Sequence, residues 1–326
     1  MLDVVHVQKR FGEKTVLDDL SMKVQSGEIY GLIGPIGAGK TTFMKICMGL
    51  LQADGGSIHL FGSDILKEKR MIQESAGYLP EKFQIYDKMK VLEYLEFFST
   101  MYGLSYSVDK YLRELLDMVN LTKQADSYVK TLSRAKKQQL GVARCLVHNP
   151  VLLMLDEPLA GLDPVGKTEI METLRYLKQQ GKTIVLSSSS FAELQNTCTQ
   201  IGIIKNGSIE IEGTIKQVLS QARESRAIHI TVLGDMSLAL LILKANANVK
   251  RISIAEDVLE ITFHGNKGQE AQLLYELVSK GVQVISFSRT NGSLEDAFFE
   301  LEEEKERRRE QYENKSSLFE RFKIKR

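Results

Sequence analysis

"GLIGPIGAGKTT", residues Gly31–Thr42, decides the reading of this chain. Within it, Gly34-Pro35-Ile36-Gly37-Ala38-Gly39-Lys40-Thr41 fits the spacing GxxxxGK[ST]. "EIYGLIG" (Glu28–Gly34) reads as a buried strand and Lys40 to Leu51 as the helix that follows it. That context makes a phosphate cradle. The glycines let successive backbone N–H groups turn inward, Lys40 supplies a cation and Thr41 a hydroxyl for Mg²⁺. The helix N-terminus adds its positive dipole end. The complete motif between strand and helix sets aside a plain glycine-rich turn.

Working outward, "PVLLMLDEP" is a second central strand, stopped by Pro158. Its apolar run places Asp156 at the carboxyl edge of the sheet, beside the phosphate loop, where it can hold Mg²⁺ through water. Glu157 follows, positioned to polarise an attacking water as general base. Carboxylates that merely cap a strand are the competing reading, weakened by the "AGLDP" that comes next. "GKTIVLSSSS" gives a third strand, and "QIGIIKNGSIEIEG" a hairpin turning on Asn206-Gly207. Between Val91 and His148 the pattern is mostly helical, which suggests a separate helical lobe. Strands alternating with helices predict an α/β fold with a largely parallel sheet.

From Arg226 the texture changes to "AIHITVL", a helix near Ser237–Ala245, "VKRISIA", "VLEITFH", a helix near Gln269–Lys280 and "VQVISFSRT". That is βαββαβ, a ferredoxin-like order. Gln217–Ser225 is the expected linker. The chain is therefore expected to divide into a nucleotide-binding domain over 1–220, with a helical subdomain about 85–148, a small α+β domain over 226–300, and a basic helical tail over 301–326. The tail's "LFERFKIKR" interleaves Phe319 and Phe322 with basic residues; it reads as a solvated end or as a contact to anionic lipid or a partner.

The totals exclude several classes. In 326 residues, 43% hydrophobic and 26% charged, the formal net charge is +1, so no strongly basic domain points to nucleic acid. Cys47, Cys145 and Cys198 lie far apart without CxxC spacing, as buried thiols do. The start "MLDVVHVQKRFGEK" lacks the apolar core of a signal peptide, and "VLLML" and "LALLIL" are too short to cross a bilayer.

The order of phosphate loop, "GYLPE", "LS…KQQLGVARCL", "LLMLDEPLAGLDP" and "IVLSSS", from about Leu2 to Ala222, resembles the ATPase subunit of an ABC transporter. "GYLPEKFQIYDKMKVLEYLEFFSTMYGL" and the appended domain resemble the exporter branch that works with separate membrane subunits. The resemblance implies ATP and Mg²⁺ as ligands. It makes Gly34, Gly37, Ala38, Gly39, Lys40, Thr41 and Thr42 phosphate and metal contacts, and Asp156 and Glu157 metal ligand and base. Phe11 matches the aromatic that stacks on adenine, although the residue alone reads equally as a hydrophobic plug. Ile36 replaces a usual polar residue in the loop, with modest effect because the backbone makes the contacts there.

Three departures from the family pattern bear on catalysis. Glu81 stands where glutamine usually reaches Mg²⁺; it can still coordinate the metal but adds negative charge. The signature, normally Leu-Ser-Gly-Gly-Gln, caps the γ-phosphate held by the opposite subunit of a head-to-tail dimer. Here Ser133 survives, while Arg134, Ala135 and Lys136 follow it. Arg134 can obstruct that cap, or else Arg134 or Lys136 can supply charge as an arginine finger does. Finally, Ser189 occupies the place of a γ-phosphate-contacting histidine; a serine hydroxyl can hydrogen-bond but carries no charge.

The reading that results is an ATP-binding subunit of an ABC transporter, of exporter type, with hydrolysis slowed or dependent on its partner. Transmembrane permease subunits and a second ATP-binding subunit, identical or different, are the implied partners, at the cytoplasmic face of the cell membrane, with no nucleic acid. The alternative is a regulatory or scaffold subunit that binds ATP and hydrolyses little. Soluble relatives in translation and DNA repair carry paired domains or a long coiled-coil insertion, neither of which is present here.

Overall fold

The computed structural model describes residues 1–65, 67–104, 108–218, 228–255, 258–263 and 265–289. The chain divides into two compact units, Met1–Ile215 and Lys216–Arg326.

In the first unit the strands are β1 (Leu2–Phe11), β2 (Lys14–Val24), β3 (Ile29–Ile33), β4 (Gly55–Leu60), β5 (Ser63–Asp64), β6 (Ala76–Leu79), β7 (Leu152–Leu155), β8 (Thr183–Ser188), β9 (Gln200–Lys205) and β10 (Ser208–Thr214). The helices are α1 (Lys40–Cys47), α2 (Lys69–Ser75), α3 (Val91–Met101), α4 (Val108–Met118), α5 (Arg134–Leu146), α6 (Pro164–Gln179) and α7 (Phe191–Leu194). Six strands form one sheet in the order β10-β9-β3-β8-β7-β6, parallel except for β10, which pairs antiparallel with β9. Its central strands read "IYGLI", "LLML" and "TIVLSS", buried at every position. Continuous burial is what a parallel strand covered on both faces requires. Between adjacent strands β6 and β7 the chain leaves the sheet for α3, α4 and α5 and then returns, with Leu79 opposite Leu155.

A second sheet, β2-β1-β4-β5, is antiparallel throughout. The sequence reading did not isolate these strands. Register shifts between Val4 and Val7, Val7 and Lys9, and Lys9 and Arg10 break the period-two alternation that would have marked β1. Helix α1 also ends earlier than the expected Leu51. Gly49, at φ 67°, lets its own N–H reach Ile46 O at 2.9 Å and the Leu50 N–H reach Lys45 O at 2.9 Å. That pair of bonds is the Schellman stop.

The second unit runs β11 (Ile228–Val232), a helix over Ser237–Ala245, β12 (Val249–Ala255), β13 (Val258–Phe263), a helix over Lys267–Ser279 and β14 (Val284–Arg289). Its four strands are antiparallel in the order β12-β13-β11-β14, the ferredoxin-like arrangement. Ile228, Ile230, Leu259 and Ile261 are buried with Ile242, Leu243 and Leu277 of the helices. Asn266 starts the second helix by accepting from Gln269 N at 3.0 Å while the Gln269 side chain accepts from Asn266 N at 2.9 Å. Of the expected linker only Gln217 and Val218 are described, and the basic tail lies outside the described residues.

Candidate nucleotide site

The phosphate loop leaves the buried end of β3, whose neighbours β8 and β9 fix it on both sides. Gly34 N donates to Ser188 O at 3.2 Å, and the β9–β10 turn supports the loop through Gly207 N to Ala38 O at 3.2 Å. Two glycines are dictated by space. A Cβ on Gly34 would lie 2.3 Å from Ile204 O, and one on Gly39 (φ 108°) would lie 2.7 Å from Leu17 Cδ2. Ile36 is 95% exposed and anchors nothing. Lys40 opens α1 and is 6% exposed. Its Nζ donates to Gly34 O at 2.5 Å and lies 3.1 Å from Glu157 Oε1. Thr41 and Thr42 follow in the first turn, both half-buried.

Asp156 follows β7 and is fully buried. Its N–H donates to Leu79 O at 2.8 Å, its Oδ1 accepts from the Ser187 hydroxyl at 2.7 Å, and its Oδ2 is buried without a hydrogen-bond partner among the described residues. An orphaned carboxylate oxygen of this kind calls for a ligand. Among the described residues no cluster of three or more His, Cys, Asp or Glu could hold a metal by itself. The unpartnered Asp156 Oδ2 fits Mg²⁺, which is usually bound through one or two carboxylates together with substrate phosphates and water. Glu157 adopts φ 47°. Its N–H donates to Ser187 Oγ at 2.8 Å, and its Oε2 accepts from Ser189 N at 3.3 Å. The neighbouring Tyr78 hydroxyl is buried without a partner among the described residues. Burial first, and the Asp156 carboxylate next, hold its phenol well above the usual range.

The structure thus brings Lys40, Asp156 and Glu157 together with the backbone of Ser189. Ser189 itself is exposed and meets Glu157 through its N–H, whereas Ser188 donates to Glu193 Oε2 at 2.7 Å. Glu81 lies on an exposed stretch two residues past the end of β6. Phe11 ends β1 opposite Lys14, 51% exposed, with Lys9 Nζ 5.4 Å from its ring centroid. Farther along β2, Leu17 packs on Gly39 of the loop.

Ser133 caps α5, accepting from Lys136 N at 3.3 Å. Among the described residues no hydrogen bond or ion pair joins it to Lys40, Asp156 or Glu157. Arg134 turns onto its own chain: its Nη2 donates to Ala160 O at 3.2 Å, and a Cβ on Gly161 (φ 67°) would lie 2.4 Å from that nitrogen. Ala135 faces Gly166 in the same way, its Cβ 2.7 Å from where a Gly166 Cβ would stand. Ser187, which bridges Asp156 and Glu157, was not among the expected residues. Its signal is the β7–β8 register: Leu155 pairs with Leu186, so Asp156 and Ser187 are the next pair along.

A sequence profile described as "ABC transporter" matches residues 17–160. The chain is 31% identical over 304 residues to the "Linearmycin resistance ATP-binding protein LnrL" of Bacillus subtilis, covering 92% of this chain and 98% of that protein. The chain belongs to the ABC transporter family. The "Bacitracin transport ATP-binding protein BcrA" of Bacillus licheniformis is 29% identical over 302 residues, covering 92% of this chain and 97% of that one. A solved "ATP binding subunit of ABC transporter" superposes with a TM-score of 0.60 at 28% identity, over 68% of this chain and 92% of that one. As an ABC transporter ATP-binding subunit, the chain carries the Gly31–Thr42 loop and the β7 edge within the matched residues 17–160.

Proposed function

We propose that this subunit hydrolyses ATP at the cytoplasmic face of a membrane and drives an exporter built from separate permease subunits. The observation that carries the reading is the pairing of an orphaned, buried Asp156 Oδ2 with a Glu157 carboxylate held 3.1 Å from Lys40. ATP would lie along the phosphate loop, its adenine against the exposed face of Phe11 and its phosphates on the N–H groups from Gly37 to Thr42. Lys40 neutralises phosphate charge, and Glu157 accepts the proton of the attacking water. Asp156, the Thr41 hydroxyl and Glu81 would hold Mg²⁺, which neutralises charge on the phosphate oxygens when bound. Ser133 serves the nucleotide of a second ATP-binding subunit placed head to tail. Ser189 offers Glu157 a backbone N–H where the family's histidine would bring a charge, so turnover is slow.

Relatives named for linearmycin resistance and bacitracin transport favour a resistance or transport role for the complex that this subunit serves. Among the described residues no helix is long and apolar enough to cross a membrane, so coupling needs a docking surface. The region from Lys82 to Leu104 suits it. Arg144 lies over the rings of Phe83 and Phe98, 5.0 and 5.3 Å from their centroids, and Tyr86, Phe97 and Met101 of the same region are exposed. A tagged chain extracted from membranes in mild detergent is expected to bring down integral membrane subunits, and Phe97→Glu to lower that yield at least about fivefold, the effect of roughly 1 kcal/mol at a buried contact. Recovery of the wild-type chain alone would contradict the proposal.

A further inference from the structure

We infer that Ser187 is a positioning residue of the nucleotide site, holding Asp156 to one metal-facing oxygen and fixing the backbone of Glu157. The inference rests on the ATP-binding reading above and extends it to a residue that no part of that reading requires.

Ser187 lies in β8 and is fully buried. Its hydroxyl accepts from Glu157 N at 2.8 Å and donates to Asp156 Oδ1 at 2.7 Å. The proton's direction follows from the partners. A backbone N–H can only donate, so the hydroxyl accepts there, and its single proton is left for the carboxylate. The relay is therefore polarised in one sense, from Glu157 N–H through the hydroxyl to the Asp156 carboxylate.

Two consequences follow. With Oδ1 taken, the carboxylate cannot rotate without losing a charge-assisted bond, and Oδ2 remains the oxygen with no partner among the described residues. Glu157, at φ 47°, occupies a backbone region that costs a residue bearing a Cβ. The bond from its N–H to Ser187 helps hold it there, with its carboxylate between Lys40 Nζ (3.1 Å) and Ser189 N (3.3 Å). One hydroxyl thus sets the orientation of both the metal ligand and the proton acceptor. Its two bonds go to the Glu157 backbone and the Asp156 carboxylate, and it acts through them. A partner behind a metal ligand typically changes metal affinity by about 10–100-fold when removed.

The test uses the full chain and a fluorescent ATP analogue, titrated first in EDTA and then with MgCl₂ at fixed nucleotide. Ser187→Ala is compared with Ser187→Thr, which keeps the hydroxyl, and with Ser187→Val, which has threonine's bulk without it. The expected result is metal-free nucleotide affinity within about twofold of wild type for all three. The half-saturating Mg²⁺ concentration should rise about tenfold or more in Ala and Val, and Thr should return most of the way to wild type. A Mn²⁺ electron paramagnetic resonance titration should give the same ranking without any turnover. Equal Mg²⁺ requirements in Ala and wild type, or in Thr and Val, would overturn the inference. So would loss of metal-free nucleotide binding together with the metal response, which marks a general structural role. Wild-type chain that binds no nucleotide under either condition would instead overturn the ATP-binding reading itself.

Discussion

Glu157 occupies a left-handed backbone conformation at the end of a buried strand, and its side chain reaches Lys40 as a result. The places of Lys40, at the start of a helix, and of Asp156 and Glu157, at the end of an apolar strand, were legible from the motif and the apolar run. Arg134 shows the opposite case. Its bulk was legible but its direction was not: the sequence leaves it free to reach a partner's phosphate, whereas the folded chain lays the guanidinium on Ala160 O and Gly161. The hydrogen bond makes the Leu159–Leu162 turn a supported element. Arg134→Ala is expected to speed hydrogen exchange at the amides of Ala160 and Leu162 about fivefold, as loss of roughly 1 kcal/mol would do. Those amides donate to Glu157 O at 3.1 Å and Leu159 O at 3.3 Å. Unchanged exchange measured by mass spectrometry would show that the contact carries no weight. Ser187 stayed hidden for a related reason: a run of four serines does not say which hydroxyl faces β7 until the strand pairing is known.

At the scale of elements, the helical excursion between β6 and β7 is tied back to the sheet by His148. Its Nε2 sits 3.1 Å from Ala76 O at the start of β6, and its ring stacks on Tyr102, centroids 4.2 Å apart. The Nδ1 is buried without a partner among the described residues, so a second proton there would find no acceptor. Burial, with Lys182 adding positive charge, holds the imidazole below its usual 6.5, and the Ala76 carbonyl opposes the shift only in part. A depressed folded-state pKa contributes stability that is present above the unfolded value and lost as pH falls through the folded one. The urea midpoint is therefore expected to drop from pH 7.5 to pH 5.5, and the drop to shrink in His148→Phe, which keeps the stack but cannot titrate. An equal drop in both proteins would assign the acid sensitivity elsewhere. The central parallel strands were legible as continuous apolar runs. The antiparallel sheet beside them was not, since its bulges disrupt the alternation that a reader counts, and α1 was read too long because the Gly49 stop lies inside an apolar stretch.

Over the whole molecule, the chain divides into two compact units, Met1–Ile215 and Lys216–Arg326, each with its own core. The three cysteines are free and buried; burial pushes the Cys145 thiol up to about 11 and that of Cys198 up to about 12, which leaves them unreactive near neutrality. The proposed chemistry lies at the carboxyl edge of the six-stranded sheet, where β3, β7 and β8 bring Lys40, Asp156, Glu157 and Ser187 together. In the proposed function, turnover at that edge depends on Glu157, because Ser189 brings no charge to assist it. The most direct measurement is MgATP turnover by the tagged chain isolated with its membrane partners, wild type beside Glu157→Gln. Slow wild-type turnover is expected to fall at least about 100-fold in the variant, the scale of a lost general base, while nucleotide binding persists. Turnover that is absent in wild type, or equal in both, would contradict it and leave ATP as a gating ligand for hydrolysis carried out elsewhere.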